Sequence, residues 1–354
     1  MIKSQYKVIG VMSGTSLDGI DLVYATFSFD TIWNFQILYA DTIAYNEYWN
    51  STLKDLVVLS KIELRQIDED YTKYLASKIK DFILRHHIKE IDAICTHGHT
   101  ALHQPHKKMT FQIGNLPILA SLLKQTIVCD FRVQDVELGG QGAPLVPIGD
   151  ALLFSQYEFC LNLGGFANIS YEIDNQRIAY DICPVNIVLN YYVRQLGYDF
   201  DDGGRIALTG KINNDLLEQL NNLDFYKKSF PKSLGLEWVK SVIIPLIDSF
   251  NLDVKDMLRT FIEHIALQIS KEINTRNQVS ALVTGGGVYN DFLMERIKTL
   301  SNNTVIIPTK EIIEFKEALI FGFLGVLKLR GENNCLHSVT GALHDHSSGN
   351  IFHE

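Results

Sequence analysis

Apolar Val8 and Ile9 lead into a glycine-bounded polar stretch, GVMSGTSLDG (10–19), after which Ile20, Leu22 and Tyr24 alternate with Asp21, Val23 and Ala25. A period of two predicts a strand, so the chain opens as strand, turn, strand. The period changes over 69–87, where Leu75, Ile79, Phe82 and Ile83 recur at helical spacing and Arg85, His86 and His87 give a basic end. Short apolar runs at 91–96, ending in HGHT, and at 127–131, ending in DFR, read as strands.

The opening scheme returns further on. Phe159, Cys160, Leu161, Asn162 and Leu163 lead into Gly164-Gly165, and Ile169, Tyr171 and Ile173 then alternate. Two strand–glycine turn–strand units without long identity imply a duplicated architecture of two α/β lobes. Met257, Leu258, Phe261, Ile262, Ile265, Ile269 and Ile273 predict an amphipathic helix over 254–273, capped by Asp253 with Asp256 at its third position. A strand over 281–284 runs into a GGG turn and a helix starting near Asn290; an apolar helix over 318–329 has Gly322 and Gly325 to permit close packing, and 337–354 reads as polar and irregular. The lobes are expected at 1–130 and 131–354.

Composition narrows the classes. With 354 residues the chain can bury a sizeable core, and 46% hydrophobic with 21% charged residues is ordinary for a globular protein. A formal charge of −9 argues against nucleic acid or an anionic membrane as the main partner, leaving small molecules. The five cysteines are scattered without a CxxC pair, and no apolar run reaches the length of a membrane span, so a reduced cytoplasmic setting is expected. Exposed apolar helix faces would permit a homodimer.

The glycine turns carry the candidate chemistry. The first lacks the Lys of a Walker loop: Gly14 is followed by Thr15. Its backbone N–H groups and the Ser13, Thr15 and Ser16 hydroxyls form a nest for an anion, and Asp18 or Asp21 offers a carboxylate to the waters of Mg²⁺. A hairpin with no ligand is the plainer alternative. Two such hairpins followed by a strand–GGG–helix turn match the logic of actin-like ATPases, an α/β, ribonuclease H-like fold with ATP in the cleft between two lobes. The histidines His97, His99, His103 and His106 are too irregularly spaced for a zinc motif.

The residues resemble one family nearly end to end, the anhydro-N-acetylmuramic acid kinases of bacterial peptidoglycan recycling. The resemblance rests on GVMSGTSLDGID (10–21), THGHTALHQP (96–105), FQIGN (111–115), DFRVQDVELGGQGAPLVP (130–147), NLGGFANIS (162–170), TGGGVYND (284–291) and SVTGA (338–342). It implies ATP-dependent phosphorylation of the sugar O6 while water opens the 1,6-anhydro bridge. It implies ATP contacts from Gly14, Thr15, Ser16, Leu17, Asp18 and Gly19, from Asn162, Gly164, Gly165 and Asn168, and from Gly285, Gly286, Gly287 and Asn290. Asp181 is implied as catalytic base, and His97, Gly98, Arg132, Gly142 and Glu317 as sugar contacts.

Arg132 suits the lactyl carboxylate, since a guanidinium pairs with carboxylates bidentately; a structural ion pair with Asp130 or Asp135 is the alternative. For Glu317 the alternative is a dipole-favoured residue in a first helical turn. His264, on a helix edge, reads as structural. The family pattern D-T-G-P-G-N is here Asp181-Ile182-Cys183-Pro184-Val185-Asn186, so a phosphate-contacting hydroxyl and two close-approach glycines are expected to be lost. Downstream, Asp201, Gly204, Ala207 and Gly210 keep the family spacing. A kinase for a different sugar, or a catalytically silent ATP-binding sensor or scaffold, are the rival readings.

Overall fold

The computed structural model describes residues 2–14 and 17–354. The chain forms two α/β units, Met1–Phe154 with Phe315–Glu354, and Ser155–Glu314. The expected single boundary near residue 130 is therefore replaced by two crossings, because the C-terminal residues return to the first unit.

The first unit is built on a seven-stranded sheet. Strands β1 (Gln5–Ser13), β2 (Ile20–Phe29) and β3 (Trp33–Ile43) run antiparallel in sequence. Strand β4 (Ala93–Gln104) pairs parallel with β1, and β6 (Ile127–Cys129) parallel with β4. Strand β5 (Met109–Ile113) pairs antiparallel with β4. The second unit has a five-stranded sheet. Strands β7 (Phe159–Leu163), β8 (Phe166–Ile173) and β9 (Gln176–Pro184) are antiparallel; β10 (Ser280–Thr284) lies parallel to β7 and β11 (Thr304–Ile306) parallel to β10.

The order is thus the same in both units: a three-strand antiparallel meander whose first strand continues into two parallel neighbours. This repeated order is the ribonuclease H-like arrangement of actin-like ATPases, the fold that the duplicated glycine turns predict. Parallel neighbours demand crossover helices. In the first unit the long helix Lys61–Arg85 precedes β4 and opens on a capping box formed by Ser60 and Glu63. In the second, helix Val254–Ile273 precedes β10 and buries Phe261, Ile262, Ile265 and Ile269 against the sheet core. Asp253 occupies its N-cap without a side-chain hydrogen bond, and Asp256 instead accepts from Lys211 N at 2.7 Å.

From Phe315 on, helix Lys310–Arg330 packs on the first unit's sheet, Gly322 against Gly10 and Gly325 against Cys95. A Cβ on Gly325 would lie 2.1 Å from Cys95 Sγ, so the close packing expected of that helix is real. The C-terminal stretch is more ordered than its polarity predicts: β12 (Asn350–Phe352) pairs antiparallel with β6, closing the sheet edge. All five cysteines are buried. Among the described residues no helix is long and apolar enough to cross a membrane.

Candidate functional site

In the second unit, strand register assembles the candidate residues. Thr284 on β10 stands opposite Asn162 on β7, Asn162 opposite Asn168 on β8, and Asn168 opposite Asp181 on β9. Cross-strand partners share a face, so these side chains form one polar row. Their chain neighbours Leu161, Leu163, Ala167, Ile169 and Ile182 are buried in the core on the other face.

The row ends at the glycine turns. Gly164 and Gly165 make the tight β7–β8 link, and their carbonyls accept from the first amides of helix Asn186–Val193: Val185 N and Ile187 N to Gly165 at 2.8 and 3.3 Å, Asn186 N to Gly164 at 3.3 Å. The GGG turn lies against the same place. Gly285 has φ +85°, and a Cβ there would meet Asn162 Oδ1 at 2.6 Å, so both its conformation and its surroundings exclude a side chain. Asn290 caps helix Asp291–Leu300 by accepting from Leu293 N at 2.9 Å. The structure thus brings Asn162, Gly164, Gly165, Gly285, Gly286 and Gly287 together, with Asn168 and Asp181 along the row.

Asp181 is clamped from its edge. Its N–H donates to Lys232 O at 3.2 Å, and its Oδ2 accepts from Leu234 N at 2.8 Å. Burial raises its carboxyl pKa above the ordinary aspartate value, and the Leu234 N–H partly opposes this. Lys232 itself is buried, its ammonium 3.4 Å from Glu272 and over the rings of Tyr180 and Phe225. The clamp was not legible in the sequence, because 231–234 lacks periodicity and meets Asp181 through its own backbone groups, Lys232 O and Leu234 N.

The three replaced positions after Asp181 do not face the polar row. Ile182, Cys183 and Val185 are 1%, 0% and 0% exposed and belong to the unit's core. A register shift explains this: β9 pairs Asp181 with Asn168 on the polar row but Cys183 with the buried Ala167, so Ile182 and Cys183 both turn inward. The downstream spacing is structural. Asp201 accepts from Ile206 N and Ala207 N at 2.8 and 2.9 Å, and Gly204 packs under Asn290.

In the first unit the β1–β2 link carries Gly14 and the 17–19 stretch; Thr15 and Ser16 lie outside the described residues. Leu17 has φ +62°, and its carbonyl accepts from Asn50 Nδ2 at 3.2 Å. Asp18 is exposed, and Asp21, half-buried, accepts from Thr42 Oγ1 at 2.6 Å. Hard carboxylate oxygens with an exposed member suit Mg²⁺, which keeps most of its waters. Beneath this link lies a network absent from the sequence reading. Ser13 Oγ is 2.8 Å from His99 Nδ1, 2.5 Å from Tyr45 OH and 2.9 Å from Tyr71 OH. Burial pushes His99 down to about 4 and Tyr45 up to about 12.

The sugar-contact candidates of this unit converge on Arg132. Its Nε donates to His97 Nε2 at 2.8 Å, and its Nη1 donates to Gly142 O at 2.5 Å. His97 Nδ1–H in turn donates to Gly98 O at 2.8 Å. Both imidazole nitrogens are thus used inside the protein and His97 is 4% exposed, so the structure gives it a partner in Arg132 rather than a free face. Burial and the Arg132 charge hold its pKa well below the ordinary value. Asp130 accepts from Asn115 and Asn350, and Asp135 from Gly142 N and Thr340, so neither forms the ion pair offered as the alternative for Arg132.

Glu317 is accessible on helix Lys310–Arg330, well past its first turn, which removes the helix-dipole reading. Desolvation by surrounding protein raises its carboxyl pKa, and Arg132 pulls it back. His264 is fully buried between Asn221 (2.7 Å) and Tyr226 (2.9 Å), a structural residue as expected.

A family model described as anhydro-N-acetylmuramic acid kinase matches residues 6–354. The anhydro-N-acetylmuramic acid kinase of Sulfurimonas denitrificans is 32% identical over 97% of this chain and 98% of its own length. That of Pasteurella multocida is 34% identical over 97% and 96%. Among solved structures, component A of (R)-2-hydroxyglutaryl-CoA dehydratase from Acidaminococcus fermentans aligns at 11% identity and TM-score 0.46, over 89% of this chain and 95% of its own.

Proposed function

The chain belongs to the anhydro-N-acetylmuramic acid kinase family, and we propose that it uses ATP and water to convert 1,6-anhydro-N-acetylmuramic acid to N-acetylmuramic acid 6-phosphate in the cytoplasm, a step of peptidoglycan recycling. The observation that carries the residue assignment is Asp181, a carboxylate with a raised pKa, fixed by Leu234 N–H at the end of a polar row that begins beside the GGG turn.

Asp181 takes a proton from water, whose oxygen attacks the anomeric carbon from the face opposite the bridge. The bond from that carbon to the bridging oxygen breaks, and the oxygen, now O6, attacks the γ-phosphorus in line; ADP departs and Asp181 returns its proton to solvent. Capture by phosphorus removes the developing alkoxide, so no protonated general acid is needed. The polar row and the glycine turns of the second unit, Asn162, Gly164, Gly165, Asn168, Gly285, Gly286, Gly287 and Asn290, bind ATP in this reading. Asp18 and Asp21 would hold Mg²⁺ through water, which when bound spreads the γ-phosphate charge. Arg132, steadied by His97 and Gly142, pairs with the lactyl carboxylate, and Glu317 contacts the sugar.

The test is a product assay with purified protein, ATP, Mg²⁺ and the anhydro sugar, read by mass spectrometry and by early-time NMR of the anomeric proton. The expected product is the 6-phosphate released first as the α-anomer, absent with Asp181→Asn. A phosphorylated sugar that still contains the anhydro ring, or turnover only with ordinary sugars, would overturn the proposal.

A further inference from the structure

Next to the Arg132–Gly142 pair, the first unit contains a cluster with no role in the chemistry above. Cys335 and His346 face each other as an antiparallel bridge, with Cys335 N donating to His346 O at 3.1 Å and His346 N to Cys335 O at 3.2 Å. Asp135, from helix Val133–Glu137, completes a group whose donor atoms all lie within 4.8 Å of one another. The three residues are 0%, 1% and 4% exposed (Asp135, Cys335, His346).

His346 is the informative member. Its Nδ1 lies 3.0 Å from His344 O, so that nitrogen carries the proton and donates to the carbonyl. In the neutral ring Nε2 is then a lone pair. It is buried, makes no hydrogen bond, and points toward Asp135 Oδ1 at 3.5 Å. A lone pair facing a carboxylate in a dry interior is repulsive unless the ring takes a second proton or a metal cation sits between them.

We propose that Asp135, Cys335 and His346 supply three of the four ligands of a site for a borderline divalent metal of the zinc class, water taking the fourth position. The donor set of thiolate, imidazole and carboxylate is one zinc takes and magnesium or calcium does not. Zinc bonds of roughly 2.0–2.1 Å place tetrahedral nitrogen and oxygen ligands about 3.3 Å apart, close to the distance between His346 Nε2 and Asp135 Oδ1. The charges also close: thiolate and carboxylate with a neutral imidazole balance a dication, leaving no net buried charge.

The surroundings match those of metal ligands. A ligating histidine donates its other N–H to a carbonyl or carboxylate, as His346 does to His344 O. The carboxylate is oriented by outer partners, Thr340 Oγ1 on Oδ1 and Gly142 N on Oδ2, both at 2.7 Å. Binding replaces the Cys335 thiol proton, which leaves to solvent, so affinity rises with pH. The bound ion ties 335–346 to the 132–142 loop, whose Gly142 carbonyl holds Arg132.

The test uses the full untagged chain, dialysed against chelator and titrated with Co²⁺ as a spectroscopic substitute for zinc. One equivalent is expected to give thiolate-to-cobalt charge-transfer absorption with tetrahedral d–d bands, bleached by Zn²⁺. Cys335→Ser is expected to lose the charge-transfer band, and His346→Gln to weaken Co²⁺ binding at least tenfold. Each variant is first checked for native near-ultraviolet circular dichroism. If either misfolds, the wild-type titration still decides, with zinc raising the thermal midpoint of the chelator-treated chain. A folded wild-type protein that shows no charge-transfer band, or a band that survives in Cys335→Ser and so belongs to another cysteine, would overturn the site.

Discussion

Arg132 donates through Nε to a nitrogen of His97 that carries no proton, because the other ring nitrogen gives its proton to Gly98 O. The imidazole is therefore locked as an acceptor, and its low pKa keeps it neutral across the physiological range. The guanidinium gains a fixed orientation from a side chain that has no free face of its own. His97→Ala should raise KM for the anhydro sugar about tenfold or more, as expected for loss of a hydrogen bond to a charged group worth about 1.5–3 kcal/mol, with a smaller effect on kcat. His97→Gln, which keeps an acceptor, should recover part of the loss. Steady-state kinetics on both variants check this; equal defects in the two would show that the acceptor role is not what matters.

Asp181→Asn should lower kcat by about 10²–10⁴ with ATP binding retained, the range for loss of a general base. The base must be ionised to work, and burial raises its pKa. Activity should therefore fall with decreasing pH along a limb lying above the ordinary aspartate range. A pH profile of kcat/KM measures it, and a limb at or below that range would contradict the environment described for the carboxylate.

Stability should depend on pH through His99. Its folded-state pKa is depressed from 6.5 to about 4. A histidine depressed in this way contributes stability that is fully present above the unfolded value and is lost as pH falls toward the folded one. The contribution is about 3 kcal/mol between those limits. Denaturant unfolding of wild type and His99→Gln at pH 4 to 7 should give curves that converge on acidification. Parallel curves would remove His99 from the account.

Gly325→Ala should cost about 1–3 kcal/mol, because the added methyl would sit 2.1 Å from Cys95 Sγ in a closed interface. Cys95→Ala in the same chain should return part of that cost. A double-mutant cycle by denaturant unfolding reads the coupling, and strictly additive effects would mean that the helix relaxes elsewhere.

Gly285→Ala should raise KM for ATP more than KM for the sugar. The position has φ +85° and abuts Asn162 and Leu163, so a methyl would displace the GGG turn from the second hairpin. Nucleotide binding by calorimetry separates this from a general folding defect; unchanged ATP affinity in a folded variant would count against the turn as a nucleotide contact.

Strongly periodic segments were legible from residue pattern alone. The 254–273 helix has the limits its apolar spacing predicts, and both glycine hairpins fall between the strands that alternation marks. The long apolar helix near the C-terminus begins at Lys310, not near 318, because charged Lys310, Glu311, Glu314, Lys316 and Glu317 mask an amphipathic start. β12 is three residues long and draws its identity from a partner more than two hundred positions away, so no local signal marks it. The same separation hid Asp135 from Cys335 and His346, while the conspicuous histidines at 97, 99 and 103 disperse to Arg132, Ser13 and Thr110. Pairing across such distances leaves no trace in a window of neighbouring residues.

The row from Thr284 through Asn162 and Asn168 to Asp181 makes the location of the carboxylate a property of sheet registry. Residues on the connecting loops can lengthen, shorten or change without moving it, whereas a one-residue slip of β9 would bury Asp181 and present Ile182 in its place. Diversification in such a scaffold is channelled: the loops can drift while the carboxylate at 181 is inherited with the ladder. The replacements at 182, 183 and 185 accord with this, since all three side chains are buried in the unit's core.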